Sequence, residues 1–442
     1  MNNDITQENL IPVVLMCLRT TEGEDEFSHA VKELESLCEA CDLEVKDILT
    51  QTLPHPDNST WVGSGKAQEL KYSVTGTESE YVVCLGNLSP AQMKNLQKIV
   101  GVAVWDRTNL ILEIFSRRAR TREARLQVES AYLQFMMPRL TGMWQHLGRQ
   151  SGGGGSRANK GIGEKQIELD RRQISHRITE LKKELAGIER TRDVQRSGRA
   201  RDGFSHVALV GYTNAGKSSL MNRLLDMSGS SEDKLSEKKV FEKDMLFATL
   251  DTSIRKIAVA GRKPFLLSDT VGFIENIPHD LIKAFRSTLA EVKYADVLLI
   301  VIDSSDPHRD MHKRITDDTL KDLDTMGIPR LYVYNKADLL PEDISLKNVP
   351  GSGVVHISTR TGYGINDLLD ELKRIFESKN RPIDAVIPYA QGELLNRLHL
   401  EADVVSEEFV EEGTHIIANC PPAIFDYLKT HLESYNDTTT SA

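Results

Sequence analysis

The sequence has little cysteine for its length. Five cysteines are spread through 442 residues, at Cys17, Cys38, Cys41, Cys84 and Cys420. Disulfide-based secreted scaffolds concentrate cysteine in short chains, so this class is excluded. Cys38 and Cys41 form a Cys-x-x-Cys, but they fall within a helical pattern and lack a second ligand pair. The pattern therefore favours reduced, partly buried thiols over a metal site.

Long apolar runs are also missing. None approaches the roughly 18 residues that a membrane helix needs, and the N-terminal stretch "MNNDITQENL" is polar and acidic, unlike a secretory signal. With 40% hydrophobic and 27% charged residues, the composition is that of a soluble protein of several domains. We expect a cytoplasmic protein with no membrane span.

The charge is unevenly distributed. The whole chain carries −10, yet the segment from Arg117 to Arg201 holds 20 Lys and Arg against 9 Asp and Glu. Arginine predominates there, and its planar guanidinium suits phosphate binding and base stacking. The segment is predicted to meet a polyanion, and a pair of solvated helix faces is the alternative.

Residues 1–113 read as an N-terminal α/β domain. The short apolar runs "IPVVLMCL", "EYVVCLG" and "VAVWD" are predicted strands, and "AVKELESLCEAC" and "SPAQMKNLQKIV" are predicted amphipathic helices. The stretch "WVGSGKAQEL" resembles half of a phosphate loop, but Ala67 replaces the metal-binding hydroxyl and the first glycine is absent. We interpret it as a glycine turn that begins a helix.

Residues 114–202 are predicted to form a basic helical hairpin. Isoleucines and leucines recur at spacings of 7, 4, 3, 4 and 3 along its second helix, at Ile167, Ile174, Ile178, Leu181, Leu185 and Ile188. This is the stripe of a coiled-coil-like seam. Its predicted partner is the helix from Thr121 to Phe135, which Pro138 ends or kinks.

The connection between these helices, "GRQSGGGGSRANKGIGEK", is rich in glycine and basic residues. A run of four glycines, residues 152–155, cannot hold regular structure. Positive charge comes from Arg149, Arg157, Lys160 and Lys165. A flexible basic tip of this kind predicts RNA contacts by those four side chains, and a plain linker is the alternative.

A complete phosphate loop follows the predicted strand "HVALV". It has the pattern G-x-x-x-x-G-K-S and runs into the helix "SLMNRLL" through Ser219; its residues are Gly211, Tyr212, Thr213, Asn214, Ala215, Gly216, Lys217 and Ser218. The backbone N–H groups of such a loop surround phosphates, while Lys217 offsets charge on the β and γ groups. Ser218 offers its hydroxyl to Mg²⁺.

The base is predicted by a second motif, after the strand "RLYVY". The residues are Asn335, Lys336, Ala337 and Asp338. The carboxylate of Asp338 can accept hydrogen bonds from two guanine donors that adenine does not offer, so we expect GTP and GDP as ligands. Beyond "VVHI", Ser358 and Thr359 stand where GTPases usually have Ser-Ala, and the backbone N–H that meets the guanine oxygen is retained. The next residue, Arg360, is also a candidate nucleotide contact.

A third motif, "DTVGFI", follows the strand "PFLL". Asp269 is expected to reach Mg²⁺ through water, and Gly272 to donate its N–H to the γ-phosphate; Thr270 and Val271 lie between them. Phe273 stands where a Ras-like enzyme has the glutamine that orients the attacking water. Motifs in this order, each at a strand end, predict a Ras-like doubly wound P-loop domain over residues 203–380.

At this level of detail the chain resembles the HflX family of translation-associated GTPases. The resemblance rests on "DRTNLILEIFSRRARTREARLQVESAYLQFMMPRLTG", the glycine-rich loop, "ELDRRQISHRITELKKEL", "GYTNAGKSSL", "LFATLDTS" and "DTVGFI". It covers roughly residues 10 to 380. The chain departs from the family pattern at Ile162, where Gly-Pro-Gly-Glu is usual, at Thr252, where "ATLDPT" is usual, and at Thr359.

The resemblance implies a Ras-like GTPase domain with an N-terminal α/β domain, a helical hairpin and a small α+β C-terminal domain over residues 381–442. It also implies binding to the large ribosomal subunit and its RNA, and the separation of the subunits of stalled ribosomes. By motif matching, Phe247, Ala248 and Thr249 belong to the first switch and are expected to contact the nucleotide, and Thr249 would complete Mg²⁺ coordination beside Ser218.

Phe273 cannot hold a water by hydrogen bonding, so slow intrinsic hydrolysis is expected, with stimulation by the ribosome. Asn214 stands where potassium-stimulated GTPases that resemble this chain place an asparagine, which makes K⁺ a candidate ion. Lys217, Thr249, Gly272 and Asn214 are thus the candidate catalytic residues. A monomer is expected. The alternatives are a signalling or scaffold GTPase that dimerises or binds protein through the hairpin, and an ATP-dependent RNA remodeller that uses the N-terminal domain.

Overall fold

The computed structural model describes residues 10–140, 158–201, 204–229, 247, 253–274, 291–341, 346–378, 380–421, 424–425 and 427–428, with side chains of the long helix from 168 to 192. The described residues form two compact units. The first contains those up to Ile188 together with Phe247, and the second contains the other described residues from Glu189 onward.

The first unit begins with a four-stranded parallel sheet in the order β2-β1-β3-β4. Its elements are β1 Ile11–Arg19, α1 Glu24–Glu39, β2 Leu43–Thr52, α2 Ser64–Thr77, β3 Tyr81–Cys84, α3 Pro90–Val100 and β4 Ala103–Asp106. Helices α2 and α3 cover one face of the sheet. Three of the strands match the predicted apolar runs, whereas β2 was not predicted because its mixed sequence shows no clean alternation.

Gly63 precedes α2 as its N-cap residue, in agreement with the interpretation of "WVGSGKAQEL" as a helix-starting turn. All five cysteines are free and buried. Burial raises the pKa of the Cys41 thiol to about 12, so the Cys-x-x-Cys holds protonated thiols. The predicted burial of these thiols is confirmed.

Helix α4 Arg107–Arg118 follows β4, and the hairpin is built from the next two helices, α5 Arg122–Met136 and α6 Ala158–Arg201. Helix α6 has 44 residues, a length of about 66 Å at 1.5 Å per residue. Arg177 of α6 donates two hydrogen bonds to the carboxylate of Glu129 of α5, at 2.8 and 3.0 Å. Ile178 and Leu181 are buried.

The predicted seam therefore lies against α5, the predicted partner. The connection differs from the prediction in one respect, because α6 already begins at Ala158 and includes Lys160 and Lys165. The glycines at 161 and 163 lower helix propensity but do not forbid a helix.

The second unit contains a six-stranded sheet in the order β10-β9-β8-β5-β7-β6, parallel except for β6. Its elements are β5 His206–Gly211, α7 Lys217–Met227, β6 Ser253–Ile257, β7 Phe265–Asp269, β8 Val297–Asp303, α8 Arg309–Asp322, β9 Arg330–Asn335, β10 Val354–His356 and α9 Ile365–Glu377. Residues of α7 and α9 pack on one face, and Leu320 of α8 packs on the other. This is the predicted doubly wound α/β fold.

A three-stranded antiparallel sheet in the order β11-β13-β12 completes the second unit. Its elements are β11 Arg381–Ile387, α10 Gly392–Glu401, β12 Asp403–Val410 and β13 Gly413–Cys420. Leu398 of α10 packs with Ile416 and Ala418 of β13. Across the described helices, none is long and apolar enough to span a bilayer.

Candidate nucleotide-binding site

The phosphate loop joins the carboxyl end of β5 to the start of α7, and its two glycines are fixed by close contacts. Gly216 has φ +91°, and a Cβ built there would lie 2.2 Å from Nδ2 of Asn335. A Cβ at Gly211 would lie 2.2 Å from the carbonyl oxygen of Val301. A larger residue at Gly211 would force a backbone shift, and one at Gly216 would displace the Asn335 side chain and adopt an unfavourable φ.

Lys217 lies buried at the first turn of α7. Its Nζ donates hydrogen bonds to the carbonyls of Gly211 at 3.1 Å and Tyr212 at 2.7 Å, which hold the ammonium over the loop. Burial lowers the pKa of Lys217 to about 8, and the charge of Asp269 acts in the opposite direction. The side chain is therefore mainly cationic at neutral pH, as phosphate binding requires.

Ser218 and Asp269 meet at the ends of neighbouring elements. The hydroxyl of Ser218 donates to Oδ2 of Asp269 at 2.7 Å, and Asp269 is buried at the end of β7. A hydroxyl and a carboxylate are hard oxygen donors of the kind that Mg²⁺ prefers. The pair fits a site at which a magnesium ion would be held. Thr249, the other predicted ligand, lies outside the described residues.

The segment after Asp269 runs directly beside the phosphate loop. Thr270 donates its hydroxyl to the carbonyl of Leu209 at 2.7 Å, which ties the segment to β5. A Cβ at Gly272 would lie 2.9 Å from Cα of Thr213 and 3.0 Å from Nζ of Lys217. Only a residue without a side chain allows this approach, which places Gly272 beside Lys217. Val271, between Thr270 and Gly272 in the chain, is buried.

Phe273 is bonded to the phosphate loop on both sides of its backbone. Its N–H donates to the carbonyl of Gly211 at 3.0 Å, and its carbonyl accepts from the N–H of Thr213 at 2.8 Å. Its ring packs with Val210 and Ile300, leaving Phe273 only 3% exposed. The aromatic side chain therefore belongs to the core of the sheet, which sequence reasoning did not anticipate.

The guanine motif lies at the carboxyl ends of β9 and β10. Asn335 is buried; its Nδ2 donates to the carbonyl of Ala215 at 3.0 Å, and its Oδ1 accepts from the N–H of Thr359 at 3.2 Å. Oδ1 of Asp338 accepts from the hydroxyl of Ser358 at 2.6 Å. Asn335 thus links the phosphate loop to both segments that are predicted to bind the base.

The remaining predicted base contacts flank this link. Lys336 has φ +61° and forms an ion pair with Asp303 at 2.8 Å. The N–H of Ala337 donates to the carbonyl of Ile357 at 3.0 Å. Nη1 of Arg360 lies 3.9 Å from the Asp338 carboxylate and the side chain is largely exposed. Ser219 follows Ser218 in the first turn of α7.

A cluster beside the phosphate loop was missed at the sequence level. The ring of Tyr212 stacks on His312 of α8, with centroids 3.8 Å apart and planes 12° from parallel. Nδ1 of His312 lies 3.5 Å from the carboxylate of Asp306. These residues and Asn214, which has φ +59°, line a cavity of about 60 Å³. The segment "DPHRDMH" carries no recognisable motif, so only the fold could bring it there.

Several residues that were predicted to bind nucleotide or RNA are not among those described at this site. Arg149, Arg157 and Ala248 lie outside the described residues, and the side chains of Lys160 and Lys165 are not described. Phe247 is only 2% exposed, and its ring contacts that of Phe115 edge to face, with centroids 4.8 Å apart. The predicted contact of Phe247 with the nucleotide stays a prediction.

Three family models match successive parts of the chain. They are described as GTP-binding GTPase N-terminal, for residues 28–116, GTP-binding GTPase Middle Region, for 118–199, and 50S ribosome-binding GTPase, for 206–336. Together they cover more than half of the sequence.

Curated relatives match along almost the entire chain. A protein named GTPase HflX from Lacrimispora saccharolytica is 36% identical over 96% of this chain and 97% of its own length. A protein of the same name from Akkermansia muciniphila is 44% identical over 84% of this chain and 85% of its own length. Among solved structures, a GTP-binding protein from Sulfolobus solfataricus in complex with GDP is 23% identical, covering 82% of this chain and 98% of that one, with a TM-score of 0.42.

Proposed function

The chain belongs to the HflX family of GTPases, and from that premise we propose that it binds the large ribosomal subunit in a GTP-dependent manner and separates the subunits of stalled ribosomes under stress. It hydrolyses GTP to GDP and phosphate. Because the proposed partner is the ribosome, we propose that the protein acts in the cytoplasm.

The nucleotide part of the proposal is supported by the link that Asn335 makes. One amide holds the phosphate loop at Ala215 and the base-binding segment at Thr359. The distances between the phosphate and base subsites are thereby fixed before a nucleotide arrives, which lowers the entropic cost of binding. We propose that the carboxylate of Asp338, oriented by Ser358, accepts from guanine.

In the proposed chemistry, Lys217 moves from the loop carbonyls to the β and γ phosphates of GTP. The backbone N–H of Gly272 would donate to the γ-phosphate; Ser218 and Thr249 would hold Mg²⁺, and Asp269 would reach the ion through water. The ion, when bound, offsets the charge that develops on the phosphate oxygens. Water is positioned by backbone and by the ribosome rather than by residue 273, because the Phe273 ring is packed in the core.

The ribosome part of the proposal is supported by the charge of the hairpin and by the description of the matched model as a 50S ribosome-binding GTPase. Helix α6 carries exposed Arg171, Arg172, Lys182 and Lys183 among the residues whose side chains are described. We propose that this face and the basic tip contact ribosomal RNA. Counterion release on phosphate binding would make this association depend steeply on salt.

The scaffold alternative is weakened by the burial of part of its proposed surface. Its dimerisation surface was the leucine and isoleucine stripe of α6, whose central residues Ile178 and Leu181 are buried within one chain. These two positions are not available to a second copy, whereas Ile174, Leu185 and Ile188 are half-buried. We therefore propose a monomer whose hairpin meets RNA.

The decisive experiment is sedimentation of the full chain with purified large subunits, in GDP and in a non-hydrolysable GTP analogue. We expect co-sedimentation that is at least tenfold stronger with the analogue and falls with salt. Small subunits are the control. Equal sedimentation with both subunits, or independence of nucleotide, would contradict the proposal.

A further inference from the structure

Strand β12 forms an open edge of the three-stranded sheet. The strand order is β11-β13-β12, and among the described strands β13 is its one neighbour. Seven of the eight residues of β12 are exposed, and Val404 is half-buried. An edge strand directs the N–H and C=O of alternate residues outward, where another strand can pair with them.

The two edges of this sheet differ in how well they are protected. Strand β11 contains Pro382, which has no N–H to donate to an added strand. Strand β12 contains no proline, and it presents large apolar side chains: Val405 is 65% exposed and Phe409 is 75% exposed. Its one irregularity is a register shift between Val404 and Ser406.

A tyrosine extends the apolar surface at one end of this strand. The hydroxyl of Tyr389 donates to the carbonyl of Val410 at 2.8 Å, and the residue is 59% exposed. Its ring is therefore held at the same end of the strand as Phe409. Exposed aromatic and aliphatic side chains at an open strand edge are typical of a surface that another chain covers.

The charge of the edge is of one sign. Residues 401–412 contain six acidic side chains, and neither lysine nor arginine occurs between Arg397 and Lys429. Nε2 of His399 lies 3.3 Å from Glu407 and offsets part of its charge when protonated. Glu408, Glu411 and Glu412 are exposed at the strand and the turn after it.

These charges decide which partner fits. In an edge-to-edge pair of two copies, glutamates of one chain would oppose glutamates of the other, which destabilises pairing. The phosphates of RNA would be repelled for the same reason. Glu408 and Phe409 are consecutive in β12 and therefore lie on opposite faces of the sheet. A protein segment with lysine or arginine at alternate positions would place positive charge beside Glu408 on one face and apolar side chains beside Phe409 on the other.

We propose that β12 binds an extended, lysine- and arginine-rich segment of another protein as a fourth strand of the sheet. Backbone hydrogen bonds hold the segment, and the acidic side chains select it. This surface is separate in sequence from the nucleotide motifs and the hairpin. It gives the chain a protein partner in addition to the proposed RNA partner.

The test is binding of a labelled ten-residue peptide of alternating lysine and valine to the full chain, measured by fluorescence anisotropy. Three comparison peptides separate the contributions. A glutamate-valine peptide tests charge, a peptide with the lysines and valines shuffled tests register, and a lysine-valine peptide N-methylated at alternate residues tests the backbone. We expect binding of the first peptide and at least tenfold weaker binding of the other three.

The protein side is tested by the double variant Glu408→Lys, Glu411→Lys, which should weaken binding at least tenfold. The matched control is Asp318→Lys, Asp322→Lys on α8, with the same charge change on exposed positions of a helix, and it should bind as the wild type. Far-UV circular dichroism and GDP affinity, unchanged in both, establish that the fold is intact.

Equal binding of the N-methylated peptide would overturn strand addition, because the charges alone would then account for binding. Equal weakening by both double variants would overturn the role of β12. Dimerisation of the wild type through this edge, seen by light scattering and abolished by Glu408→Lys, Glu411→Lys, would also overturn the proposal, since a second copy would be the occupant.

Discussion

The carbonyl of Phe273 accepts a hydrogen bond from the backbone N–H of Thr213 at 2.8 Å, so the segment after Asp269 is joined directly to the phosphate loop. The reciprocal bond from Phe273 N–H to Gly211 closes a short bridge. This geometry turns the Phe273 ring toward Val210 and Ile300 and places Gly272 against Lys217. The backbone at residue 273 therefore belongs to the nucleotide site, while its side chain belongs to the core.

The first prediction follows from that division. Phe273→Gln should not create a faster, Ras-like enzyme, because the new side chain would be buried among aliphatic residues. We expect a loss of about 2–4 kcal/mol in the free energy of unfolding, from lost packing and an amide without partners. Urea unfolding of the wild type and the variant measures it. Phe273→Leu, which keeps an apolar side chain, is the control and should lose less. A stable and faster Phe273→Gln enzyme would show that the ring is not structural.

The second prediction concerns Gly216. In Gly216→Ala, the new Cβ would lie 2.2 Å from Asn335 Nδ2, at a φ of +91° that alanine rarely adopts. Asn335 would have to leave Ala215, and the link between phosphate loop and base motif would break. We expect GDP affinity to fall by about 100-fold, which corresponds to about 2.7 kcal/mol. Fluorescent GDP titration measures it.

Gly65→Ala, at the other Gly-Lys of the chain, is the matched control. A Cβ there meets nothing within 4 Å, so GDP affinity should not change. Unchanged affinity in Gly216→Ala would contradict the close approach that the structure shows.

Gly216 and Phe273 also show which parts of the site could be predicted from the sequence. The phosphate loop, the guanine motif and the strand before each could be predicted, because short motifs at strand ends depend on local backbone geometry. The burial of Phe273 could not, since it depends on a backbone bridge to residues about 60 positions earlier. The stacking of His312 on Tyr212 could not be predicted either, because it joins residues that are far apart in the sequence. Strand β2 was missed because its sequence, "LEVKDILTQT", mixes charged and apolar residues without a period.

The third prediction concerns the base. In Asp338→Asn the carboxylate that Ser358 orients is replaced by an amide, which offers a donor toward guanine. We expect affinity for GTP to fall by about 100-fold or more and affinity for xanthosine triphosphate to rise, because xanthine presents an acceptor where guanine has its amine. Competition binding with the two nucleotides measures the switch. Asp317→Asn, on α8, is the control. If Asp338→Asn binds GTP as the wild type does, the guanine assignment is wrong.

The fourth prediction concerns the hairpin. Replacing Arg149, Arg157, Lys160 and Lys165 by Ala should weaken association with large subunits and lower the slope of its logarithm against log salt by up to about 4, one for each lost phosphate contact. GDP affinity should stay the same, because none of these residues belongs to a nucleotide motif. Sedimentation at several salt concentrations measures the slope.

The matched control replaces four acidic residues of α6, Glu168, Asp170, Glu180 and Glu189, by Ala. Association should then be unchanged or stronger. Unaltered association and slope in the basic-to-Ala variant would favour a linker role for the tip.

The last prediction concerns how hydrolysis proceeds without a side chain at residue 273 that can hold water. Asn214 lies in the phosphate loop with φ +59°, a conformation that asparagine tolerates, and it lines the cavity beside Tyr212. Its carbonyl could hold K⁺ against the phosphates and supply the positive charge that other GTPases take from an arginine. We expect slow turnover alone, about tenfold faster turnover in K⁺ than in Na⁺, and further stimulation by large subunits.

Asn214→Ala should lose the difference between K⁺ and Na⁺ and retain GDP binding. Asn222→Ala, on α7, is the control and should keep the difference between the two salts, with circular dichroism establishing that its fold is intact. Phosphate release is measured in the two salts, with and without large subunits. Equal rates in K⁺ and Na⁺ would contradict a role of K⁺ in hydrolysis. Fast turnover in every condition would show that the site is already complete without the ribosome.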